Sequence, residues 1–241
     1  MKKELLIDMH AHSSGISECC RIPIDEVLKQ AKEAGHDGIV LTNHYSEKYA
    51  DATSPDDLAR RYNEEYFLAR RLGYEMGLTV LYGIELTVSR DPKLHILIYG
   101  VPFNFITEHP TIYTLEQDEL YALVHSYGGA VVQAHPFRRD VDRLQSLTHL
   151  DGIEVNCHPL YEGTHFERIL NIVKDTSLIL TAGADYHADT RRAKCGVYLP
   201  TDITNETLSG YLLNCENVKL HINEVDTTDT YEYVYKRGKC K

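Results

Sequence analysis

Short apolar runs alternate with amphipathic helical segments along almost the whole chain, and this alternation is the strongest constraint on the fold. The run at residues 38–42 is uninterrupted, as is typical of a strand buried on both faces. The preceding segment, residues 24–34, has an apolar stripe at helical spacing and a glycine after its last turn. Repeated strand–helix units form mainly parallel sheets. We therefore predict an α/β protein whose sheet is open or closed into a barrel.

The pattern predicts seven strands, at residues 5–9, 38–42, 78–85, 94–99, 130–134, 152–156 and 178–182. The third and fourth strands have no helix-sized segment between them, so we expect a hairpin or a distorted crossover there. Helices are predicted at residues 24–34, 55–75, 115–127, 141–147 and 165–174, and from Thr204. Because no linker or internal repeat interrupts the pattern, we expect a single domain over residues 1–241.

Charge and cysteine usage restrict the class of protein. The net charge is −11, which argues against a broad surface for nucleic acid or an anionic membrane. No apolar run is long enough to span a membrane, and the first residues lack a signal-peptide pattern. The six cysteines include no C-x-x-C pair, so free thiols in a reducing compartment are expected. These features predict a cytoplasmic protein.

Metal-ligating residue types recur where the predicted strands end. Any one histidine at a strand end is usually a half-buried polar residue or a helix cap. Six histidines do scatter over helices and loops, but seven other residues repeat one position across five strands. In a barrel, the carboxyl ends of parallel strands meet at one mouth, so we predict a shared site there. Its members are His10, His12, His44, Glu85, His135, Asp185 and His187.

The residue types point to a particular chemistry. Imidazole and carboxylate ligands without a cysteine pair suit divalent zinc, manganese or iron. One glutamate and one aspartate among the histidines allow bridging between two ions, and two metals ~4 Å apart can clamp a phosphoryl group. One ion lowers the pKa of a bound water to about 7, and the others stabilise charge on phosphate oxygens. A serine or cysteine nucleophile is not needed, and neither G-x-S-x-G nor a Walker-type loop is present.

Six motifs, in order over roughly residues 5–200, resemble the polymerase and histidinol phosphatase (PHP) family. They lie at residues 8–13 (DMHAHS), 42–44 (TNH), 83–85 (GIE), 94–97 (LHIL), 134–136 (AHP) and 183–187 (GADYH). The resemblance implies a distorted seven-stranded (β/α)7 TIM-like barrel with two or three divalent metal ions. One ion would be held by His10, His12, Glu85 and Asp185. Glu85 would bridge to a second ion held by His95 and His135, and His44 and His187 would belong to a third.

His95 enters the predicted set only through this resemblance. It lies early in its strand, where a histidine would otherwise be interpreted as packed in the core. The chain departs from the family pattern at Asn43, where many members have an aspartate that can orient a ligand. It also departs in the loop at residues 14–21, from which members usually supply a further ligand. Glu18 is the nearest candidate there and Cys20 is an alternative.

Arginines near the motifs are candidates for phosphate recognition. Arg138 stands three residues after His135, where related phosphoesterases often have an arginine, and its guanidinium fork suits phosphate oxygens. We predict Arg138 as a substrate-binding residue. Arg191 and Arg192 follow His187 and are predicted to form a solvated basic turn.

The sequence is compatible with three functions. The first is a metal-dependent phosphoesterase acting on a small phosphorylated metabolite. The second is a nuclease or nucleotide phosphoesterase, which the acidic net charge and the absence of an interleaved basic and aromatic face disfavour. The third is a non-catalytic metal-bound module, which tends to lose ligands, whereas this chain keeps eight candidates. Oligomeric state and substrate identity are not predicted.

Overall fold

A mixed sheet organises the computed structural model, which describes residues 4–187, 192–224 and 229–238. Its strands are β1 Glu4–Ala11, β2 Gly38–Leu41, β3 His44–Tyr45, β4 Thr79–Thr87, β5 His95–Tyr99, β6 Ala130–Gln133, β7 Gly152–Asn156, β8 Ile179–Gly183, β9 Gly196–Pro200, β10 Asn217–Asn223 and β11 Thr230–Lys236. The helices are α1 Ile24–Glu33, α2 Glu47–Asp51, α3 Pro55–Met76, α4 Phe105–Glu108, α5 Gln117–Ser126, α6 Phe166–Val173 and α7 Asn205–Asn214. The predicted α/β class is confirmed.

The sheet curls into a nearly closed barrel. Its strand order is β11-β10-β9-β1-β2-β4-β5-β6-β7-β8, with β3 paired to β4. The end of β8 returns to β1, since Ala11 forms a parallel bridge with Tyr186 and the amide of Asp185 donates to the carbonyl of His10 at 3.0 Å. All seven predicted strands form. Strands β3 and β9 to β11 join the same sheet as the seven predicted strands. The count of seven strands in the barrel therefore stays a prediction.

Strands β4 and β5 form an antiparallel hairpin, one of the two predicted alternatives. β5 is also antiparallel to β6, whereas β1, β2 and β4 are mutually parallel, as are β6, β7 and β8. A strand that runs against its neighbours begins at the edge where they end. His95, the first residue of β5, pairs with Thr87 at the end of β4. The hairpin therefore brings His95 to the same mouth as the ends of the parallel strands.

The helices pack outside the barrel. Short local sequence signals set where each helix begins and ends and which of its faces is buried. In α1, four apolar side chains are buried at helical spacing (Ile24, Val27, Leu28 and Ala31). The long helix α3 starts where Ser54 accepts a hydrogen bond from the amide of Asp57, and it ends at Gly77, whose φ of 72° suits glycine. Within it, the Tyr62 hydroxyl lies 2.8 Å from the carbonyls of Asn43 and Gly83. None of the helices in the described ranges has the length and apolarity to traverse a bilayer.

The helix predicted near residues 141–147 is wrong. This part of the chain contains only short 3-10 turns, at Arg138–Asp140 and Leu147–His149. The buried side chain of Gln133 explains the difference, because its amide donates to the carbonyl of Arg143 at 2.7 Å and its oxygen accepts from the amide of Gln145 at 2.8 Å. Backbone groups that a helix would pair internally are thus paired with β6 instead.

Candidate metal centre

His10 and His12 lie at the end of β1 and point to the same side, as the two-residue period of a strand requires. Both side chains are fully buried, and their Nε2 atoms are 3.0 Å apart. Two buried imidazole nitrogens this close converge on one point. That geometry suits ligands of a shared cation.

Glu85 is the centre of the cluster. Its Oε1 lies 2.8 Å from Nδ1 of His95 and 3.1 Å from Nε2 of His135. Its Oε2 lies 2.8 Å from Nδ1 of His44 and 3.3 Å from Nε2 of His12. The side chain is fully buried at the end of a parallel strand. One carboxylate therefore faces two separate groups of histidines, which is the placement expected of a carboxylate that bridges two ions.

Asp185 and His187 come from the segment after β8. Oδ1 of Asp185 lies 3.1 Å from Nε2 of His12 and 3.4 Å from Nε2 of His10. Nδ1 of His187 donates to the carbonyl of Asp185 at 2.6 Å, which leaves its Nε2 free of that bond. The rings of His187 and His12 stack with centroids 4.4 Å apart. This segment thus closes the cluster on the side of β1.

The structure brings all eight predicted residues together. Their donor atoms form three groups, each with all atoms within 4.8 Å of one another. The groups are His10, His12, Glu85 and Asp185; His44, Glu85 and His95; and His12, His44 and His187. His135 lies outside these groups but reaches Oε1 of Glu85 at 3.1 Å and Oδ2 of Asp185 at 3.8 Å.

The donor set fits metal ions better than a closed network of hydrogen bonds. Oε2 of Glu85 and Nδ1 of His44 lie 2.8 Å apart as a buried ion pair, yet neither atom has the geometry of a hydrogen bond. Buried polar atoms normally have hydrogen-bond partners, so two that lack them and converge on one point fit a site completed by a bound cation. Nitrogen and carboxylate oxygen donors together suit zinc, manganese or iron.

The buried carboxylates shift the pKa values of the histidines around them. Burial lowers the pKa of His44, but the charge of Glu85 and hydrogen bonds with Cys19 and Glu85 together raise it to about 10. Burial lowers and Asp185 raises the pKa of His187, which reaches about 9. Burial dominates at His95 and lowers its pKa to about 4. Burial alone would raise the pKa of Glu85, yet the surrounding histidines hold it well below its usual range. The carboxylates that raise the pKa values of His44 and His187 would equally attract metal cations.

Two of the cluster residues have left-handed backbones. His135 has a φ of 27° and Asp185 a φ of 47°, values that cost a non-glycine residue about 1–3 kcal/mol each. Both are held in place by hydrogen bonds: the amide of His135 donates to Glu154, and that of Asp185 donates to the carbonyl of His10. Strain held in this way is typical of functional sites.

Sequence reasoning missed Glu154, in the middle of β7. Its Oε1 accepts from Nδ1 of His10 at 2.8 Å, and its Oε2 accepts from the amide of His135 at 3.0 Å and from Nδ2 of Asn156 at 3.1 Å. It is fully buried and orients a histidine without joining the three groups. A charged residue inside an otherwise apolar strand was the available signal.

Asn43 takes part in a second orienting chain. Nδ1 of His12 lies 3.1 Å from Oγ of Ser17, and the Ser17 hydroxyl donates to Oδ1 of Asn43 at 2.8 Å. Asn43 also accepts from the amide of Ser13 at 2.8 Å. The neutral amide therefore supplies an acceptor where the family pattern has an aspartate, and it still fixes the orientation of His12.

Neither candidate from the loop at residues 14–21 faces the histidines. Glu18 is exposed and pairs with Lys48 at 2.9 Å, and the Cys20 thiol donates to the carbonyl of His12 at 3.5 Å. Cys19, which lies between them, is exposed. Burial raises the pKa of the Cys19 thiol, but hydrogen bonds with His187 and His44 lower it to about 6.

Arg138 lies beside the cluster, as predicted for a substrate-binding residue. Its Nη1 donates to the hydroxyl of Tyr161 at 3.3 Å, and that hydroxyl donates to Oδ2 of Asp185 at 2.8 Å. A small open pocket adjoins it. The pocket lining includes Arg138, Tyr161, His135, Phe137, Thr164 and His165.

The prediction of a solvated basic turn at Arg191 and Arg192 is wrong for Arg192. This side chain is buried, and its Nη2 lies 2.6 Å from Oδ2 of Asp8. Asp8 also accepts from the amides of His10 and Ala184, each at 3.0 Å. Arg192 therefore holds the side chain of Asp8, and through it the end of β1, in place. Arg191 lies outside the described residues.

Comparison with known proteins gives no match among protein-family models and none among curated proteins. Solved structures do match. A two-domain protein from Bacteroides vulgatus, named as containing a PHP-like metal-dependent phosphoesterase, has a TM-score of 0.68 and 16% identity. The match covers 92% of this chain and 66% of that protein, so this chain spans just under two thirds of its length.

Two further structures are similar. A protein from Bifidobacterium adolescentis, named as a metal-dependent phosphoesterase, has a TM-score of 0.54 and 17% identity, covering 88% of this chain and 97% of that one. PsfC from Pseudomonas syringae has a TM-score of 0.60 and 17% identity, covering 87% and 88%. At such identities the likeness shows the fold. The PHP-like barrel that the sequence motifs predict is therefore confirmed.

Proposed function

We propose that this PHP-like chain is a metal-dependent phosphoesterase that hydrolyses a small phosphorylated metabolite. The observation that carries this proposal is the placement of Glu85. One of its buried oxygens faces His95 and His135, and the other faces His44 and His12. Carboxylates placed between two sets of nitrogen ligands are typical of hydrolytic sites with two metal ions.

Two or three divalent ions, of zinc, manganese or iron, would be held by the eight predicted ligands. His10, His12, Glu85 and Asp185 would hold one. Glu85 would share a second with His95 and His135, and His44 and His187 would belong to a third. When bound, such ions activate water and offset negative charge on a phosphoryl group, so the protein needs no nucleophile of its own.

The chain's own side chains would bind and orient the phosphate. Arg138 is half-buried, and its guanidinium carbon lies 5.7 Å from the ring centroid of Tyr161, which limits the motion of both side chains. Tyr161 in turn is tied to Asp185. A guanidinium beside a cation site can donate two parallel hydrogen bonds to phosphate oxygens. Arg138 would thus hold the phosphate group of the ester beside the ions.

The surroundings favour a small substrate over a polymer. The net charge of −11 would repel an extended polyanion. The five cysteines in the described part of the chain are free, which supports action in the reducing cytoplasm.

Phosphate release tests the proposal. The protein, loaded with manganese, zinc or iron, would be assayed on a panel of phosphorylated metabolites beside an Asp185→Ala/His187→Ala double variant. We expect release from at least one monoester by the wild type only. Release no higher than that of the double variant would overturn the proposal. Cleavage of a labelled oligonucleotide instead would favour a nuclease, and bound metal without any hydrolysis would favour a non-catalytic module.

A further inference from the structure

Tyr161 lies in the loop between β7 and α6, at the mouth of the barrel. Its ring stacks on that of His158, with centroids 4.4 Å apart and 22° between the two planes. The ring of His135 lies 6.2 Å away at an angle of 82°. The Tyr161 amide also donates to the carbonyl of His158 at 3.1 Å. Because both ring and backbone are fixed, the hydroxyl is held in one place beside the cluster.

The hydroxyl of Tyr161 joins the candidate phosphate-binding arginine to a candidate metal ligand. Nη1 of Arg138 lies 3.3 Å from the hydroxyl oxygen on one side, and Oδ2 of Asp185 lies 2.8 Å from it on the other. A guanidinium can only donate and an ionised carboxylate can only accept, so the single hydroxyl proton belongs to the bond with Asp185. The hydrogen bonds therefore run in one direction, from Arg138 through Tyr161 to Asp185.

The two carboxylate oxygens of Asp185 have different surroundings. Oδ1 lies 3.1 Å from Nε2 of His12 and 3.4 Å from Nε2 of His10, within one of the three groups of donor atoms. Oδ2 accepts the hydrogen bond from Tyr161 and lies 3.8 Å from Nε2 of His135. Since the hydroxyl holds Oδ2, the carboxylate cannot turn without losing that bond. Oδ1 is thereby kept directed at His10 and His12.

We propose that Tyr161 is a positioning residue that couples the phosphate site to the metal site. This role rests on the proposed function and adds a residue to it. On the metal side, the hydroxyl keeps Oδ1 of Asp185 directed at the ion. On the phosphate side, it holds one of the five N–H donors of Arg138, and this orients the guanidinium toward phosphate oxygens. Because its one proton is used on Asp185, Tyr161 acts through these two residues and does not donate to the substrate.

Tyr161→Phe tests the role, because it removes the hydroxyl and keeps the aromatic ring. Tyr198→Phe is the matched control: Tyr198 also donates to a carboxylate, Oε1 of Glu232 at 2.6 Å, but it pairs with Leu6 near the start of β1. These variants, Arg138→Met and the Tyr161→Phe/Arg138→Met double variant would be compared with the whole wild-type chain. Competition with a chromogenic chelator measures zinc affinity. Calorimetry measures the binding of inorganic phosphate to the zinc-loaded proteins, after their ion content has been checked.

Tyr161→Phe should weaken zinc binding about 10-fold, the effect of removing a partner that orients a ligand. In the zinc-loaded state it should also weaken phosphate binding about 5-fold, the effect of one lost hydrogen bond. Arg138→Met and Tyr198→Phe should bind zinc like wild type. In the Arg138→Met background, Tyr161→Phe should weaken zinc binding but should not weaken phosphate binding further, because its effect on phosphate passes through Arg138.

Three results would each overturn the proposal. They are wild-type zinc affinity in Tyr161→Phe, a further loss of phosphate affinity in the double variant, and a zinc-loaded wild type that binds no phosphate. Neither measurement needs turnover, so the two proposals can fail separately. If Tyr161→Phe shows both losses but the wild type hydrolyses no ester, the positioning role stands and the proposed function fails. If esters are hydrolysed but Tyr161→Phe binds zinc like wild type, the proposed function stands and the positioning role fails.

Discussion

Glu154 and His10 form a fully buried hydrogen bond across the barrel, with Oε1 of the carboxylate 2.8 Å from Nδ1 of the ring. Since a carboxylate can only accept, Nδ1 of His10 carries the proton and Nε2 faces the cluster. Nε2 lies 3.4 Å from both Glu85 and Asp185. Strand β7 therefore sets the direction of a ligand on β1.

Glu154→Gln should weaken metal binding about 10- to 100-fold, the usual effect of removing a partner that orients a ligand. The amide has one oxygen, so it cannot serve His10, the amide of His135 and Asn156 as the carboxylate does. Competition with a chromogenic chelator measures the affinity. Glu167→Gln, at an exposed position of α6, is the matched control and should bind like wild type. Unchanged affinity in Glu154→Gln would contradict the orienting role.

Arg192→Met should lower the free energy of unfolding of the metal-free protein by about 3–5 kcal/mol. The change leaves the buried carboxylate of Asp8 without its charged partner, which lies 2.6 Å away. Urea denaturation measures the loss. Arg60→Met removes ion pairs from a side chain that is 57% exposed, so the loss should be much smaller than in Arg192→Met. Equal losses of unfolding free energy in the two variants would contradict a larger contribution from the buried ion pair.

Arg138→Met should reduce kcat/KM on a phosphomonoester about 10²- to 10³-fold, because a positioned donor to the phosphoryl oxygens is removed. Metal content should stay unchanged, since Arg138 contacts Tyr161 and none of the three ligand groups directly. The neighbouring Arg139 is exposed, so Arg139→Met serves as the control. Steady-state kinetics that match wild type in Arg138→Met would remove it from substrate binding.

Metal affinity should rise with pH between about pH 6 and pH 9. The pKa of His44 is raised to about 10 and that of His187 to about 9, so both rings are protonated near neutrality in the metal-free protein. A metal ion binds the neutral ring, and its binding must displace these protons. Calorimetry in buffers of different ionisation enthalpy measures the protons released. Binding without proton release at neutral pH would contradict the assigned ligands.

The strands and most of the cluster could be predicted because their signals are local. An apolar run followed by His, Glu or Asp marks the end of a buried strand, and β1, β2, β4, β6 and β8 all follow that pattern. His95 was different, since its position at the mouth depends on the reversed direction of β5. Strand direction is a long-range property, and only the family resemblance supplied it.

The residues that sequence reasoning missed depend on distant partners. Glu154 is 144 positions from His10, and Arg192 is 184 positions from Asp8. A ligand from the loop at residues 14–21 could not be predicted for another reason. Three adjacent residues, Glu18, Cys19 and Cys20, are all chemically able to bind a metal. The turn fixed by Ser17 directs Glu18 to Lys48 and Cys20 to the carbonyl of His12, and the sequence alone could not show this.

Element-specific anomalous diffraction from crystals grown with manganese or zinc would locate the ions. We expect two or three peaks within the cluster, with Glu85 between at least two of them and His95 and His135 on the far side from His12. Phosphate release by the same preparation should disappear when a chelator removes the ions and return when they are restored. Hydrolysis that continues with no peak in this cluster would show that these residues do not hold the catalytic ions.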